Sequence, residues 1–301
     1  MSEHLIIADN VKHAIAENRP VVALESTIIT HGMPYPQNVQ LAAKMERLLE
    51  GKGVQPATIA IMDGAVRVGL SESELSLLGQ GEQAAKVSLR DLPSVLGKKC
   101  TGGTTVAATM FAAEKAGIAV FATGGIGGVH RGAEDSFDIS ADLEALKRFN
   151  VAVVCAGPKA ILDLPKTMEL LETYGVPVIG YRTDRLPAFY TAKTSIPVPV
   201  VAESAREIAD QMAIKKSLGL AGGALIVNPI PEEFSLDGDV MEREILAALA
   251  KAKAAGISGK DITPFLLHEI CESTGGNSLE ANCRLVENNV ALAGDIAASL
   301  Q

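Results

Sequence analysis

The sequence predicts an α/β protein: one three-layer α/β/α domain over residues 1–301, with helices on both faces of a central, largely parallel or mixed sheet. Three observations carry this reading. Short apolar, β-branched runs alternate with amphipathic stretches of helical length along the chain. The run Val151–Ala156 (VAVVCA) has no polar alternation, as expected for a strand covered on both faces. No Ser/Pro/Gly-rich linker divides the chain, and no repeat with a period of about 20–50 residues is visible.

The elements follow in order. Pro20–Glu25 reads as a short buried strand, and Gln37–Gly51 has helical spacing and stops at glycine. Ala57–Met62 is a second strand, closed by the Asp63-Gly64 turn signal. Ser71-x-x-Glu74 matches a capping box and predicts a helix over Ser71–Leu78. Thr104–Gly117 is an Ala-rich helix, and Ile118–Ala122 a strand running into a glycine cluster. Ser140 is the expected N-cap of a helix reaching Asn150. After the 151–156 strand come a helix (Ile161–Gly175), a strand (Val176–Tyr181), a helix (Ser204–Gly219) and a strand (Gly223–Val227). Two long helices, Asp239–Gly256 and Ser278–Leu300, complete the pattern.

Composition narrows the function classes. Of 301 residues, 48% are hydrophobic and 21% charged, which excludes a disordered chain. Lys plus Arg is 27 and Asp plus Glu 36, a net charge of −9 that argues against a nucleic-acid partner. No apolar run approaches the roughly 20 residues of a membrane span, and residues 1–20 carry Glu3, Asp9 and Glu17 instead of a signal-peptide core, so no membrane partner is expected. The four cysteines form no C-x-x-C pair and suit a reducing, cytoplasmic setting.

In such sheets ligands sit beyond the carboxyl ends of strands, so polar residues there carry the most weight. Glu25 closes an apolar strand, where burial would favour a proton-donor role; an ion-paired strand-end glutamate is the other reading. Thr101-Gly102-Gly103-Thr104-Thr105 precedes a helix and reads either as an anion cradle or as a turn and cap; it lacks the P-loop lysine. Thr123–Asp142 (TGGIGGVHRGAEDSFDISAD) is the richest stretch. His130 stands where a dinucleotide fingerprint needs its last glycine, so that reading fails. Glycines with His130 and Arg131 suit phosphate, while Glu134, Asp135, Asp138 and Asp142 suit Mg²⁺ or Mn²⁺. Lys159 follows the most apolar strand; it reads as a desolvated amine able to attack a carbonyl, or as a solvated surface charge. Thr274–Ser278 resembles a second capped glycine turn, and Asn282, Asn288 and Asn289 on the last helix are functional or merely polar-face residues. The sum is an α/β enzyme acting on a phosphorylated small molecule.

Taken together, ALESTIITHGMPYP (23–36), TIAIMDGAVRVGL (58–70), AAKVSLRDLP (84–93), GGTTVAATM (102–110), FATGGIGGVHRGAEDSFDISADL (121–143), VVCAGPKAILDL (153–164), GVPVIGY (175–181), NPIPEEF (228–234) and TPFLLHEICESTGGNSLEANCRLVENN (263–289) resemble the pseudouridine-5'-phosphate glycosidase family, which includes the indigoidine synthase A-like proteins. The resemblance spans nearly the whole chain. It implies reversible cleavage of the C–C glycosidic bond of pseudouridine 5'-phosphate to uracil and ribose 5-phosphate, with one divalent ion, typically Mn²⁺, per subunit of a homotrimer. It further implies Lys159 as the nucleophile at C1' and Glu25 as proton donor. Lys86, Val106, Ser140, Ala141 and Asp142 would contact substrate, and Asp138 the metal. His130 and Thr123 would belong to the phosphate side, and Asn282 to the base side. Pro158 stands where other members often carry a smaller residue, and it should stiffen the approach to Lys159. Two alternatives stay open: an enzyme of pigment biosynthesis, and a sugar-phosphate or nucleotide sensor without turnover.

Overall fold

The computed structural model describes residues 3–81, 84–257, 259 and 262–301. Its strands are β1 (Leu5–Ile7), β2 (Val21–Leu24), β3 (Gln55–Met62), β4 (Ala65–Val68), β5 (Ala85–Val87), β6 (Gly102–Thr104), β7 (Val120–Ala122), β8 (Ala152–Cys155), β9 (Val178–Tyr181), β10 (Val200–Ala202) and β11 (Ala224–Val227). The helices are α1 (Asp9–Ala16), α2 (Gln37–Glu50), α3 (Glu72–Gln80), α4 (Leu92–Gly97), α5 (Val106–Ala116), α6 (Ala133–Ser136), α7 (Ala141–Arg148), α8 (Leu164–Thr173), α9 (Ala205–Ser217), α10 (Gly238–Ala254), α11 (Ile262–Ser273) and α12 (Asn277–Ser299).

The strands form one sheet in the order β1-β4-β3-β2-β7-β8-β11-β9-β10, with β6 paired to β3 and β5 to β6. The central run β3-β2-β7-β8-β11-β9-β10 is parallel throughout. Among the described strand pairs, β3–β4 and β3–β6 are antiparallel. Within the central run, parallel neighbours place the strands' carboxyl ends on one rim, the edge from which connecting loops lead into helices.

Side chains alternate across the sheet, and each half enters a different core. Val22, Leu24, Ala152 and Val154 pack toward α2, α9, α10, α11 and α12 through Leu41, Met45, Ile208, Ile245, Leu266 and Leu285. Val21, Ala23, Val153 and Cys155 face the other way, toward α1, α5, α7 and α8 through Val11, Met110, Leu143, Leu146 and Leu171. The result is three layers, as expected for a sheet buried on both faces. Among the described residues, no helix is long and apolar enough to cross a membrane.

Local chemistry sets several boundaries. Ser71 and Glu74 form the reciprocal capping box that starts α3. Thr105 caps α5, and Gly117 ends it in the left-handed conformation. Ser140 caps α7 by accepting from the Asp142 amide. Two expectations are corrected, and the turn expected at Asp63-Gly64 is borne out. Residues 102–104 form strand β6, so this is no turn presenting free amides: a Cβ on Gly103 would lie 2.8 Å from the Ser26 carbonyl. The helix expected from Ile161 begins at Leu164, because Leu162 bridges to His130 and Asp163 is the cap. Asp63-Gly64 turns β3 back onto β4, adding an antiparallel edge.

Candidate active site

Three adjacent parallel strands, β2, β7 and β8, deliver their carboxyl ends side by side. Glu25 follows β2 directly. Its Oε1 accepts from Thr123 Oγ1 at 2.8 Å, and its Oε2 accepts from the Thr27 amide at 3.0 Å and from the Thr27 hydroxyl. Thr123 follows β7 and is itself buried. A small, mostly apolar cleft opens beside this pair, lined by Leu24, Ile28, Leu41, Met45, Thr58 and Val286.

Beneath Glu25, the next residue anchors the turn. Ser26 is fully buried; its hydroxyl donates to the Ile59 carbonyl at 2.6 Å and accepts from the Thr104 amide at 2.9 Å. Thr104 Oγ1 donates to the same carbonyl at 2.7 Å and accepts from Thr109 Oγ1 at 2.9 Å. This hydroxyl cluster ties the Glu25 turn to β6, whose Gly103 is in register with Lys86 on β5.

Beyond β7 and β8 the pairing continues through the loops. The Ala156 amide donates to the Gly124 carbonyl at 2.9 Å, Ile126 bridges to Pro158, and the Lys159 amide donates to the Ile126 carbonyl at 3.0 Å. Gly157 makes this possible: at φ +84° it passes so close to Pro187 that a Cβ would lie 2.2 Å from that carbonyl oxygen. Lys159 is half-buried at the end of this extension. His130 feels the charges of both Lys159 and Lys86. Burial, reinforced by those two cations, lowers the His130 pKa; Asp138, with its Oδ2 4.0 Å from His130 Nδ1, works against the shift.

The candidate site thus joins a carboxyl group held by a threonine to an amine carried on the extension past β8. Comparison with known proteins identifies the family. A family model described as indigoidine synthase A like protein matches residues 10–299. The chain belongs to the indigoidine synthase A-like family. Relatives named pseudouridine-5'-phosphate glycosidase include one from Geobacillus kaustophilus, 55% identical over 300 residues and covering 100% of both chains. Another, from Clostridium botulinum, is 53% identical over 301 residues, covering 100% of this chain and 98% of its own. Among solved structures, the prealnumycin C-glycosynthase AlnA in complex with ribulose 5-phosphate aligns with a TM-score of 0.92 at 38% identity, over 100% of this chain and 98% of that one. An indigoidine synthase A-like protein from Thermotoga maritima aligns with a TM-score of 0.90 at 35% identity, again over 100% and 98%.

In this indigoidine synthase A-like chain the carboxylates of the 123–142 stretch disperse instead of clustering. Glu134 pairs with Lys166 on the surface, and Asp135 is exposed. Asp142 is 6% exposed; its Oδ1 accepts from the Ala107 amide at 2.9 Å and its Oδ2 from the Gly127 amide at 2.8 Å. It therefore pins the α5 N-terminus, next to buried Val106, to the glycine loop. A Cβ on Gly127 would lie 2.2 Å from Ser140 Oγ and 2.8 Å from Asp142 Oδ2, so that loop needs glycine there. Ala141 is exposed at the start of α7. Among the described residues no group of three or more His, Cys, Asp or Glu side chains is placed to hold a metal. Asp135 and Asp138 keep carboxylates that no described hydrogen-bond donor occupies; Asp135 is exposed, whereas Asp138 is half-buried beside His130. One free hard oxygen donor fits an Mn²⁺ or Mg²⁺ ion that keeps most of its water or takes its remaining ligands from a phosphorylated substrate.

Arg131, read from sequence as a phosphate partner, is otherwise engaged. Its guanidinium forms a two-pronged pair with Glu242 of α10 at 2.6 and 2.8 Å and also donates to the Ala160 carbonyl at 3.3 Å. Asn282 is 7% exposed, and its Oδ1 is buried with no hydrogen-bond partner among the described residues, next to Gly124. Sequence reading missed the Ser26–Thr104 cluster and the full burial of Asn289, whose amide donates to the Thr123 and Gly124 carbonyls. The signal for Asn289 was available: an Asn in a helix whose neighbours Leu285, Val286 and Ala293 mark an apolar face.

Proposed function

We propose that this chain cleaves, reversibly, the C–C glycosidic bond of pseudouridine 5'-phosphate, giving uracil and ribose 5-phosphate. The observation that carries the reading is the placement of Glu25 and Lys159 just past the carboxyl ends of β2 and β8, two strands of one parallel run, in a chain that resembles named glycosidases over its full length.

A C–C glycosidic bond has no leaving heteroatom to protonate, so two carboxylates alone suit it poorly. An amine supplies a lone pair that can take over C1'. Lys159 attacks C1' as the C1'–O4' bond breaks and O4' takes up a proton, leaving an open-chain sugar whose C1' carries both the lysine nitrogen and the uracil carbon. Glu25 then protonates that uracil carbon as the C1'–C5 bond breaks with its electron pair going to uracil, and the nitrogen lone pair forms the iminium on the sugar. Water releases ribose 5-phosphate from the lysine. Lys86 and His130 orient the sugar phosphate with Val106 and the 140–142 segment, and Asn282, with its orphaned carbonyl oxygen, offers an acceptor to the base N–H. A divalent ion such as Mn²⁺ would be held by Asp138 and would supply positive charge toward the phosphate.

We read the chain as one domain working in the cytoplasm as a homotrimer, on a free nucleotide and without nucleic acid or membrane. The single sheet supports the domain assignment, and the exposed Phe137 and Ile139 beside Asp138 suit contact with a second copy. The test is uracil release from pseudouridine 5'-phosphate with Mn²⁺, comparing wild type with Lys159→Ala. Turnover abolished in a folded variant is the expected result. Turnover surviving in the variant would discard the lysine mechanism, and no release by the wild type, with or without metal, would overturn the activity.

A further inference from the structure

Helix α12 buries one face against the sheet, and that face is built from Leu285, Val286, Val290, Ala293 and Ile296. Asn289 interrupts it with an amide that is 0% exposed. Desolvating an amide is costly unless its groups are paired, so each partner matters. Asn289 Nδ2 donates to the Thr123 carbonyl at 2.9 Å and to the Gly124 carbonyl at 3.3 Å. Its Oδ1 accepts from Asn228 Nδ2 at 3.2 Å, and Asn228, just past β11, donates its own amide to the Cys155 carbonyl at 2.9 Å. One side chain thus satisfies the two carbonyls at which β7 leaves the sheet, and it is held in place from β11.

Those carbonyls belong to the residue that grips Glu25 and to the one after it. The Thr123 hydroxyl reaches Glu25 Oε1 from a backbone that Asn289 holds at its carbonyl and Val154 at its amide. We infer that Asn289 is a positioning residue for the reaction, acting through Thr123 to hold Glu25 in the pose from which it gives its proton. This rests on Glu25 being the proton donor. Asn289 touches no substrate in this scheme, and its effect belongs to the step that needs Glu25, not to sugar-phosphate binding.

The test is a double-mutant cycle between Asn289→Leu and Thr123→Val, read as kcat and KM for uracil release, with Tm recorded for every variant. Asn289→Ser, which is shorter and remains polar, carries the cycle if the leucine variant does not fold. The expected outcome for Asn289 alone is a kcat lower by about 10- to 100-fold with KM within about twofold, the scale of a misplaced catalytic group. In the Thr123→Val background the same substitution should cost almost nothing more, because the route to Glu25 is already cut. Full additivity of the two losses, or a loss confined to KM and Tm, overturns the positioning role. Glu25→Gln, measured in parallel, separates the two assignments: an active Glu25→Gln enzyme removes the proton donor itself, whereas an inactive one with additive Asn289 and Thr123 effects removes only the positioning.

Discussion

The Thr123 hydroxyl donates to Glu25 Oε1 at 2.8 Å and so joins two residues 98 positions apart in the chain. Adjacent parallel strands make this pairing: Leu24 and Ala122 are in register and end their strands, so Glu25 and Thr123 are the next residue on each. Removing the donor without changing the shape tests its value. Thr123→Val should lower kcat about 10- to 100-fold with little change in KM, and Thr123→Ser should keep most of the activity. Wild-type turnover in Thr123→Val would show that the bond does not serve catalysis.

Two aspartates in the same segment should respond differently. Asp138 has a free carboxylate, whereas Asp142 spends both oxygens on backbone amides. Asp138→Asn should leave the Tm unchanged and raise the Mn²⁺ concentration needed for half-maximal activity by about tenfold. Asp142→Asn should lower stability by about 1–3 kcal/mol, since an amide cannot accept twice in that geometry. A metal titration and thermal melts of both variants decide the matter; an unchanged metal requirement in Asp138→Asn would remove it as the ligand.

Glu46 on α2 is a half-buried carboxyl outside this machinery, accepting from Thr58 Oγ1 at 2.6 Å. Burial raises its pKa above the ordinary 4.5, outweighing the Thr58 hydrogen bond that lowers it. The folded protein therefore holds this proton more tightly than the unfolded chain does. Its contribution is fully present below the unfolded value and is lost as pH rises through the folded one. Glu46→Gln, which keeps the acceptor for Thr58, should raise the Tm near pH 8 and leave it unchanged near pH 4. An equal effect at both ends of the range would contradict this.

The cysteines should divide by burial. Cys155 is fully buried at the end of β8, and burial pushes its thiol up to about 12 despite the nearby Gly157 and Ile126 amides and Lys159. Cys100 is exposed. A thiol reagent near pH 8 should modify Cys100 within minutes and reach Cys155 only on unfolding, as mass spectrometry of labelled peptides would report. Rapid labelling of Cys155 in the folded protein would show that the β8 end opens.

Elements with strong local signatures were legible in the sequence. The β-branched run before Cys155, the Ser71–Glu74 box and the Ser140 cap all correspond to observed features. Short edge strands such as β1 and β10 were not, because three residues carry too little pattern and their state is decided by the neighbour they pair with. The Gly102-Gly103 pair looked like a loop because glycine usually marks one. Here it is a strand because Ser26 and Thr30 approach too closely for any side chain. At the site, Glu25 and Lys159 were visible as polar residues after apolar strands. Arg131 and Asn289 were misread or left open, since which partner a long-range polar group finds is fixed by tertiary contact and leaves no trace in spacing.

Lys159 sits on a continuation of the sheet's own hydrogen bonding, through the Ile126–Pro158 bridge and the amide-to-carbonyl bond at 3.0 Å. A lysine on an open loop would explore backbone and side-chain freedom together before meeting a sugar carbon. Here the main chain is already fixed, and only the torsions of the side-chain stem remain to be searched. In the proposed reaction the amine would therefore be presented at a high effective concentration, and the entropy of bringing it to C1' would be settled largely during folding, before substrate arrives.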